Sequence, residues 1–177
     1  YQEKAEKDNA RYWCCKSMES VYYYQEIESK LSPTYIHIVR DGRDVALSFT
    51  KAFVGPKHIY SLAEKWRKEQ EITLNLKAIA PPDRFIEVRY EELIHSPEIV
   101  IRNICAKLKI QYSDVALDYF HSSESVAAAQ SGPMWANLSH PIMENNHDKF
   151  RHEFKPEQLL IFEKVAGSML HQFGYKR

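Results

Sequence analysis

The sequence predicts an α/β domain, in which helices cover a parallel sheet. Short β-branched and aromatic runs alternate along the chain with longer segments of helical apolar periodicity. The composition is globular, with 44% hydrophobic and 27% charged residues. Residues 1–177 fit one domain better than two, because most domains contain roughly 100 to 150 residues. In such a sheet, ligands bind beyond the carboxyl ends of the strands.

The first predicted elements are a strand, a helix and a second strand. Residues 11–15 are rich in β-forming side chains and are interpreted as a strand whose two cysteines are buried, free thiols. A helical pattern covers 19–31. Residues 34–39 (TYIHIV) are β-branched and aromatic, and the turn-forming pair Asp41-Gly42 follows them. This pattern predicts a buried strand with a sharp exit.

The middle of the chain continues the alternation. Apolar residues at helical spacing predict helices over 44–53 and 59–80, and the run 84–88 (RFIEV) predicts a third strand. Ser96 is the expected N-cap of a helix over 97–108, which begins with a proline.

The last part of the chain combines a long loop with one more helix. Residues 131–147 (SGPMWANLSHPIMENNH) have no apolar period, which indicates a functional loop or lid. Pro156 begins the last predicted helix, and Gly174 ends it. His147 and His152 are five residues apart, a spacing that suits one helical face poorly, so we expect a solvated polar segment and no metal site.

The charge and cysteine content exclude several classes of protein. Lys and Arg number 24, and so do Asp and Glu, so the chain lacks the basic footprint of a protein that binds duplex nucleic acid. No apolar run approaches the roughly 18 residues of a membrane span. Cys14 and Cys15 are adjacent and Cys105 is distant, a pattern that favours a reducing, cytoplasmic location. The first residue is Tyr1 and not methionine, so we expect a longer gene product.

One segment, 36–49 (IHIVRDGRDVALSF), has the features of an anion-binding corner. Arg40 leaves the carboxyl end of a predicted parallel strand, and the next helix directs its unpaired N–H groups and positive dipole end to the same place. Ser48 lies about one turn into that helix, and Arg43 adds charge nearby. The alternative is an ordinary turn whose arginine pairs with Asp41 or Asp44.

This segment resembles the 3′-phosphate-binding motif of sulfotransferases that use 3′-phosphoadenosine 5′-phosphosulfate (PAPS), in which a serine follows the strand-end arginine by eight positions. Three further pieces resemble the family in the same order: 11–17 (RYWCCKS), 85–93 (FIEVRYEEL) and 149–175. The resemblance implies an α/β fold with a P-loop NTPase-like parallel sheet flanked by helices. It covers nearly the whole chain.

The resemblance also assigns roles to individual residues. It implies that Arg40 and Ser48 hold the 3′-phosphate and that Tyr90 contacts the nucleotide near that phosphate or at its adenine. Lys16 resembles the catalytic lysine beside the transferred sulfuryl group, where an ammonium stabilises developing charge. Lys149 resembles a late basic residue near the nucleotide. The alternatives are surface lysines for Lys16 and Lys149 and a packed strand-end tyrosine for Tyr90.

Two departures from the family pattern stand out. The family's upstream glycine- and serine/threonine-rich loop for the 5′-phosphosulfate is missing, and the five glycines form no GxxxxGK motif. The chain therefore resembles the C-terminal two-thirds of a sulfotransferase. Some branches carry a histidine as general base two residues after the strand lysine, where this chain has Met18. His140, in the long loop, becomes the candidate base, whereas His37 alternates within a strand and is interpreted as packed.

These observations predict transfer of a sulfuryl group from PAPS to an acceptor hydroxyl, with an amine as second choice, without a metal. The loop 131–147 is expected to shape the acceptor pocket, and an aromatic content of 12% favours a lipid, polyketide or small alcohol. The alternative is a non-catalytic nucleotide-binding or interaction module that keeps the 3′-phosphate site. A nucleoside-phosphate kinase is disfavoured, because the sequence has no Walker-type lysine loop.

Overall fold

The computed structural model describes residues 1–17 and 19–176. Its strands are β1 (Tyr35–Val39) and β2 (Phe85–Arg89), which pair in parallel with Tyr35 opposite Phe85 and Val39 opposite Arg89. The helices are α1 (Gln2–Lys7), α2 (Tyr24–Leu31), α3 (Gly42–Lys51), α4 (Ile59–Ile79), α5 (Tyr90–His95), α6 (Pro97–Leu108), α7 (Ser123–Gln130), α8 (Phe150–Glu153) and α9 (Pro156–Gln172). Short 3-10 turns lie at Ser20–Tyr23, Pro82–Arg84, Asp114–Ala116, Tyr119–His121 and Ala136–Ser139.

Most predicted elements are confirmed. The strand predictions 34–39 and 84–88 correspond to β1 and β2, and the helices predicted from residue 59, residue 97 and Pro156 are α4, α6 and α9. The helix predicted over 44–53 begins two residues earlier, at Gly42, because Asp41 caps it with a side-chain hydrogen bond. Ser96 precedes α6 as expected, but its side chain makes no capping hydrogen bond.

The strand predicted over 11–15 is wrong. Residues 12–17 have no regular secondary structure, and Cys14 and Cys15 are exposed thiols, not buried ones. A strand needs a neighbour to pair its backbone N–H and C=O groups, and the described residues place no strand beside this run. β-forming side chains alone therefore do not make this segment a strand.

The face of β1 differs from the prediction of a fully buried strand. Ile36 and Ile38 are 41% and 51% exposed, whereas the alternate residue His37 is packed and Val39 is buried. The packed face lies on α4 and the C-terminal residues, where the His37 ring approaches Phe173 with ring centroids 6.1 Å apart. In the described part of the chain, one face of β1 is thus covered and its other face is exposed.

The core lies between α3, α4 and α9. It includes Trp66, Phe162 and Ala166, with Val39 from the end of β1. Gly42 permits the close approach of α3, because a Cβ there would lie 2.5 Å from the Trp66 ring and 2.8 Å from Phe162. This packing fixes the turn that follows β1. No helix in the described residues has the length and apolar character needed to cross a membrane.

Candidate functional site

The two parallel strands bring Arg40 and Tyr90 together at their carboxyl ends. Val39 lies opposite Arg89, so the residues that follow them are neighbours at the same sheet edge. The Arg40 guanidinium lies over the Tyr90 ring, 4.5 Å from the ring centroid. Such stacking suits the planar guanidinium and leaves its N–H groups directed outward from the ring.

The hydrogen-bond donors of Arg40 are only partly paired at this corner. Its Nη2 donates to the main-chain carbonyl of Asn146 at 2.8 Å. Its Nε is buried and has no hydrogen-bond partner among the described residues. Because a buried donor without a partner costs stability, this position is suited to an anionic ligand that accepts from it.

Arg43 does not contribute charge to the corner, contrary to the expectation from sequence. It is 1% exposed, its Nη2 lies 2.7 Å from Asp41 Oδ2, and its Nη1 lies 2.9 Å from Glu163 Oε1. Nη2 also donates to the carbonyl of Lys176. Asp41 in turn accepts from the backbone N–H of Arg43. The ordinary-turn interpretation therefore applies to Arg43. Its ion pair with Glu163 holds α9, and its hydrogen bond to Lys176 holds the C-terminal residues, against the turn.

Asp44 binds the first residue of α8 to α3. It is 2% exposed, and its Oδ1 accepts a hydrogen bond from the backbone N–H of Phe150 at 3.0 Å. The other oxygen, Oδ2, is buried with no partner in the described part of the chain. Burial raises the pKa of this carboxyl. Asp44 thus fixes Phe150, four residues after Asn146.

A cavity of about 360 Å³ opens beside Tyr90, within the size range of small-molecule sites. The rest of its wall is largely apolar and includes Leu93, Ile94, Tyr119, Met134, Trp135, Leu138, Pro141, Ile142 and Met143. Most of these residues come from the loop 131–147, so this loop walls a cavity next to the Arg40 corner.

Two more of the predicted residues contact the wall of this cavity. The Lys16 ammonium lies 5.7 Å from the centroid of the Trp135 ring. The carbonyl of His140 accepts a hydrogen bond from the Tyr119 hydroxyl at 2.9 Å, and the His140 side chain is exposed. Burial raises the pKa of Tyr119.

Ser48 and Lys149 are exposed residues near these elements, Ser48 within α3 and Lys149 directly before α8. His147 and Asp148 form a polar contact, with Nδ1 of His147 3.1 Å from the Asp148 carboxylate, in keeping with a solvated segment. The described residues contain no group of three or more His, Cys, Asp or Glu that could hold a metal ion.

Sequence reasoning missed Asn146, Tyr119 and Trp135. Asn146 bridges Arg40 and Tyr90, since its side-chain amide donates to the Tyr90 hydroxyl at 2.6 Å. The loop that contains Asn146 has no apolar periodicity, so its sequence gives no signal of a contact with Arg40, which is 106 positions away. Aromatic residues in the long loop were the only available signal for Trp135.

Comparison with known proteins identifies the family. A family model described as "Sulfotransferase family" matches residues 1–114. The chain belongs to the sulfotransferase family. The matched range contains Lys16, Arg40, Ser48 and Tyr90, whereas His140 and Lys149 lie beyond it. No curated protein matches the chain.

Solved structures of two sulfotransferase domains share the fold. One is the "Sulfotransferase Domain from the Curacin Biosynthetic Pathway", with a TM-score of 0.66 and 20% identity over 91% of this chain and 61% of that one. The other is the "Sulfotransferase Domain from the Synechococcus PCC 7002 Olefin Synthase", with a TM-score of 0.61 and 26% identity over 77% of this chain and 48% of that one. The chain spans less than two thirds of either domain.

Proposed function

We propose that residues 1–177 belong to one sulfotransferase domain with a P-loop-like sheet, and that the domain in its complete form transfers the sulfuryl group of PAPS to an acceptor hydroxyl. The observation that carries this proposal is the Arg40 guanidinium, stacked on Tyr90 at the carboxyl end of β1 with a buried Nε that has no partner among the described residues. In a chain of this family, a phosphate is the ligand that such a corner fits best.

The reaction is an in-line displacement. The acceptor oxygen bonds to sulfur while the bond from sulfur to the donor's phosphate oxygen breaks. The acceptor proton passes to a base, and adenosine 3′,5′-bisphosphate leaves. Arg40 and Ser48 hold the 3′-phosphate, Tyr90 contacts the nucleotide, and Lys149 supplies charge at its edge. The exposure of Ser48 and Lys149 supports their access to a ligand.

The cavity beside Tyr90 is the proposed entry of the acceptor. The Lys16 ammonium lies over a ring of its wall, which supports Lys16 as the group that stabilises the transferring sulfuryl. His140, whose backbone is bound at the same wall and whose side chain is exposed, is the proposed base. The apolar wall favours a lipid, polyketide or small alcohol over a highly anionic glycan. A fold neighbour from the curacin biosynthetic pathway supports a biosynthetic small molecule as the acceptor. An amine is the second choice of acceptor group, after the hydroxyl.

We place the 5′-phosphosulfate site outside these residues. The sequence has no GxxxxGK loop, and the chain spans 61% and 48% of the two solved domains. The same missing loop favours the second candidate function, a nucleotide-binding module that performs no transfer. Transfer of labelled sulfate from PAPS by a protein that includes the 5′-phosphosulfate loop together with these residues separates the two. We further propose that the domain acts in the cytoplasm, in keeping with its three unpaired cysteines, and that the reaction needs no metal.

The decisive experiment is a thermal-shift titration with adenosine 3′,5′-bisphosphate, its 2′,5′ isomer and ADP. We expect selective stabilisation by the 3′,5′ compound, about 2.7 kcal/mol at a hundredfold excess over Kd. Arg40→Ala should weaken binding by about 2 to 3 kcal/mol, because it removes a charge-assisted contact. The matched control is Arg102→Ala, which removes another arginine stacked on a tyrosine, 3.8 Å from the Tyr112 ring centroid. Equal affinities in wild type and Arg40→Ala would reject the site.

A further inference from the structure

We propose that Asn146 is a positioning residue that orients both Arg40 and Tyr90 toward the nucleotide phosphate. The inference rests on the proposed function, since it concerns the same phosphate corner. Its physical basis is that one residue, distant in sequence, makes hydrogen bonds to both members of the stacked pair.

The contacts of Asn146 divide between its backbone and its side chain. The main-chain carbonyl accepts from Arg40 Nη2 at 2.8 Å, and the side-chain oxygen Oδ1 lies 3.5 Å from the same nitrogen. The side-chain Nδ2 donates to the Tyr90 hydroxyl at 2.6 Å. Asn146 therefore presents two oxygens to the guanidinium and a donor to the phenol.

This arrangement determines which way the amide and the hydroxyl point. The reversed amide would turn N–H donors toward the Arg40 guanidinium, which carries donors only, so the observed orientation is favoured. A tyrosine hydroxyl has one proton, and here its oxygen accepts from Asn146. The proton of the Tyr90 hydroxyl is thus left to donate elsewhere, and a phosphate oxygen beside Arg40 is a suitable acceptor.

The backbone around Asn146 is anchored on both sides. Upstream, its N–H donates to the carbonyl of Met143 at 3.2 Å. Downstream, Phe150 is buried with its ring 4.1 Å from the Arg43 guanidinium carbon, and its N–H is bound by Asp44. A residue held in this way can impose an orientation on its neighbours, because it loses little further freedom when a ligand binds.

The test compares three single variants in the full chain by titration with adenosine 3′,5′-bisphosphate. Asn146→Ala should weaken binding about tenfold, and Tyr90→Phe should weaken it at least as much. Asn146→Asp should weaken it further, because its carboxylate competes with the phosphate for Arg40. The double variant Asn146→Ala/Tyr90→Phe should lose less affinity than the sum of the two single losses, since the asparagine side chain acts in part through the hydroxyl and its main-chain contact with Arg40 survives the substitution. The exposed neighbour Asn145 provides the control variant, Asn145→Ala.

The outcomes separate this inference from the proposed function. If the wild type fails to bind the nucleotide, the proposed function fails and the inference with it. If the wild type binds and the affinities of Asn146→Ala and Asn145→Ala both equal it, the inference alone is rejected. Additive losses in the double variant would also reject it, because a purely structural asparagine acts independently of the Tyr90 hydroxyl.

Discussion

Arg40 and Arg43 flank the same turn, yet of these two only Arg43 has hydrogen-bond partners among the described residues for all of its buried N–H groups. Arg43 is 1% exposed and is bound by Asp41, Glu163 and a main-chain carbonyl. Arg40 keeps a buried Nε without a partner among the described residues. An unmade hydrogen bond of a buried donor costs about 1 to 3 kcal/mol, and a ligand that accepts from it recovers that cost. This contrast is why Arg40, and not Arg43, belongs to the proposed site.

His37 predicts a pH dependence of stability. Its Nε2 donates to Gln70 Oε1 at 3.1 Å, and burial lowers the pKa of the ring below the ordinary value of about 6.5. The unfolded chain therefore binds more protons than the folded one just below pH 6.5. The free energy of unfolding should fall as the pH falls from 6.5 toward the lowered pKa.

Urea unfolding at pH 7.5 and at pH 5.5 measures this effect. We expect His37→Gln to reduce the wild-type difference between the two conditions, because glutamine does not titrate. The control is His121→Gln, which replaces an exposed histidine. An unchanged pH dependence in His37→Gln would show that protonation of His37 does not govern this loss.

At the scale of elements, the buried carboxylate of Asp44 binds the first residue of the short α8 to α3, in addition to the exposed Lys51–Glu153 ion pair. Asp44→Ala should destabilise the protein by about 1 to 3 kcal/mol, because it leaves the buried N–H of Phe150 without an acceptor. Asp44→Asn keeps an acceptor oxygen for this N–H. It also removes a buried carboxylate, a group whose pKa is raised by burial, so Asp44→Asn should destabilise the protein less than Asp44→Ala does. Chemical denaturation of both variants checks the order. Equal losses would mean that the charge, and not the hydrogen bond, is what matters.

The elements also explain which parts of the fold and the site could be predicted. β1 and β2 are marked by β-branched runs and turn residues, and their parallel pairing puts Arg40 beside Tyr90. The run 11–15 has the same local signal, but a strand depends on a partner that local sequence does not specify. Asn146 reaches Arg40 only through tertiary packing, and its segment has no apolar period to reveal that packing.

At the scale of the whole molecule, one cavity connects residues from distant parts of the chain. Tyr90 and Trp135 lie in its wall, Lys16 lies over Trp135, and His140 is bound through its carbonyl to Tyr119. The proposed phosphate corner at Arg40 shares Tyr90 with this cavity. A sulfuryl donor held at Arg40 and an acceptor in the cavity would therefore both lie next to the Tyr90 ring. This favours one continuous site over two separate ones.

The position of that site depends on the packing of α3 against α4 and α9. A substitution at Gly42 tests this packing. Gly42→Ala places a methyl group 2.5 Å from the Trp66 ring and 2.8 Å from Phe162, so the rings must shift, at an expected cost of about 1 to 3 kcal/mol. Gly167→Ala is the matched control, because it sits inside α9 and its added Cβ has no neighbour within 4 Å beyond the adjoining backbone of that helix. It should stabilise the protein by about 0.5 to 1 kcal/mol through helix propensity. Thermal or urea unfolding of both variants measures the opposite signs, and a neutral Gly42→Ala would refute the close approach of α3.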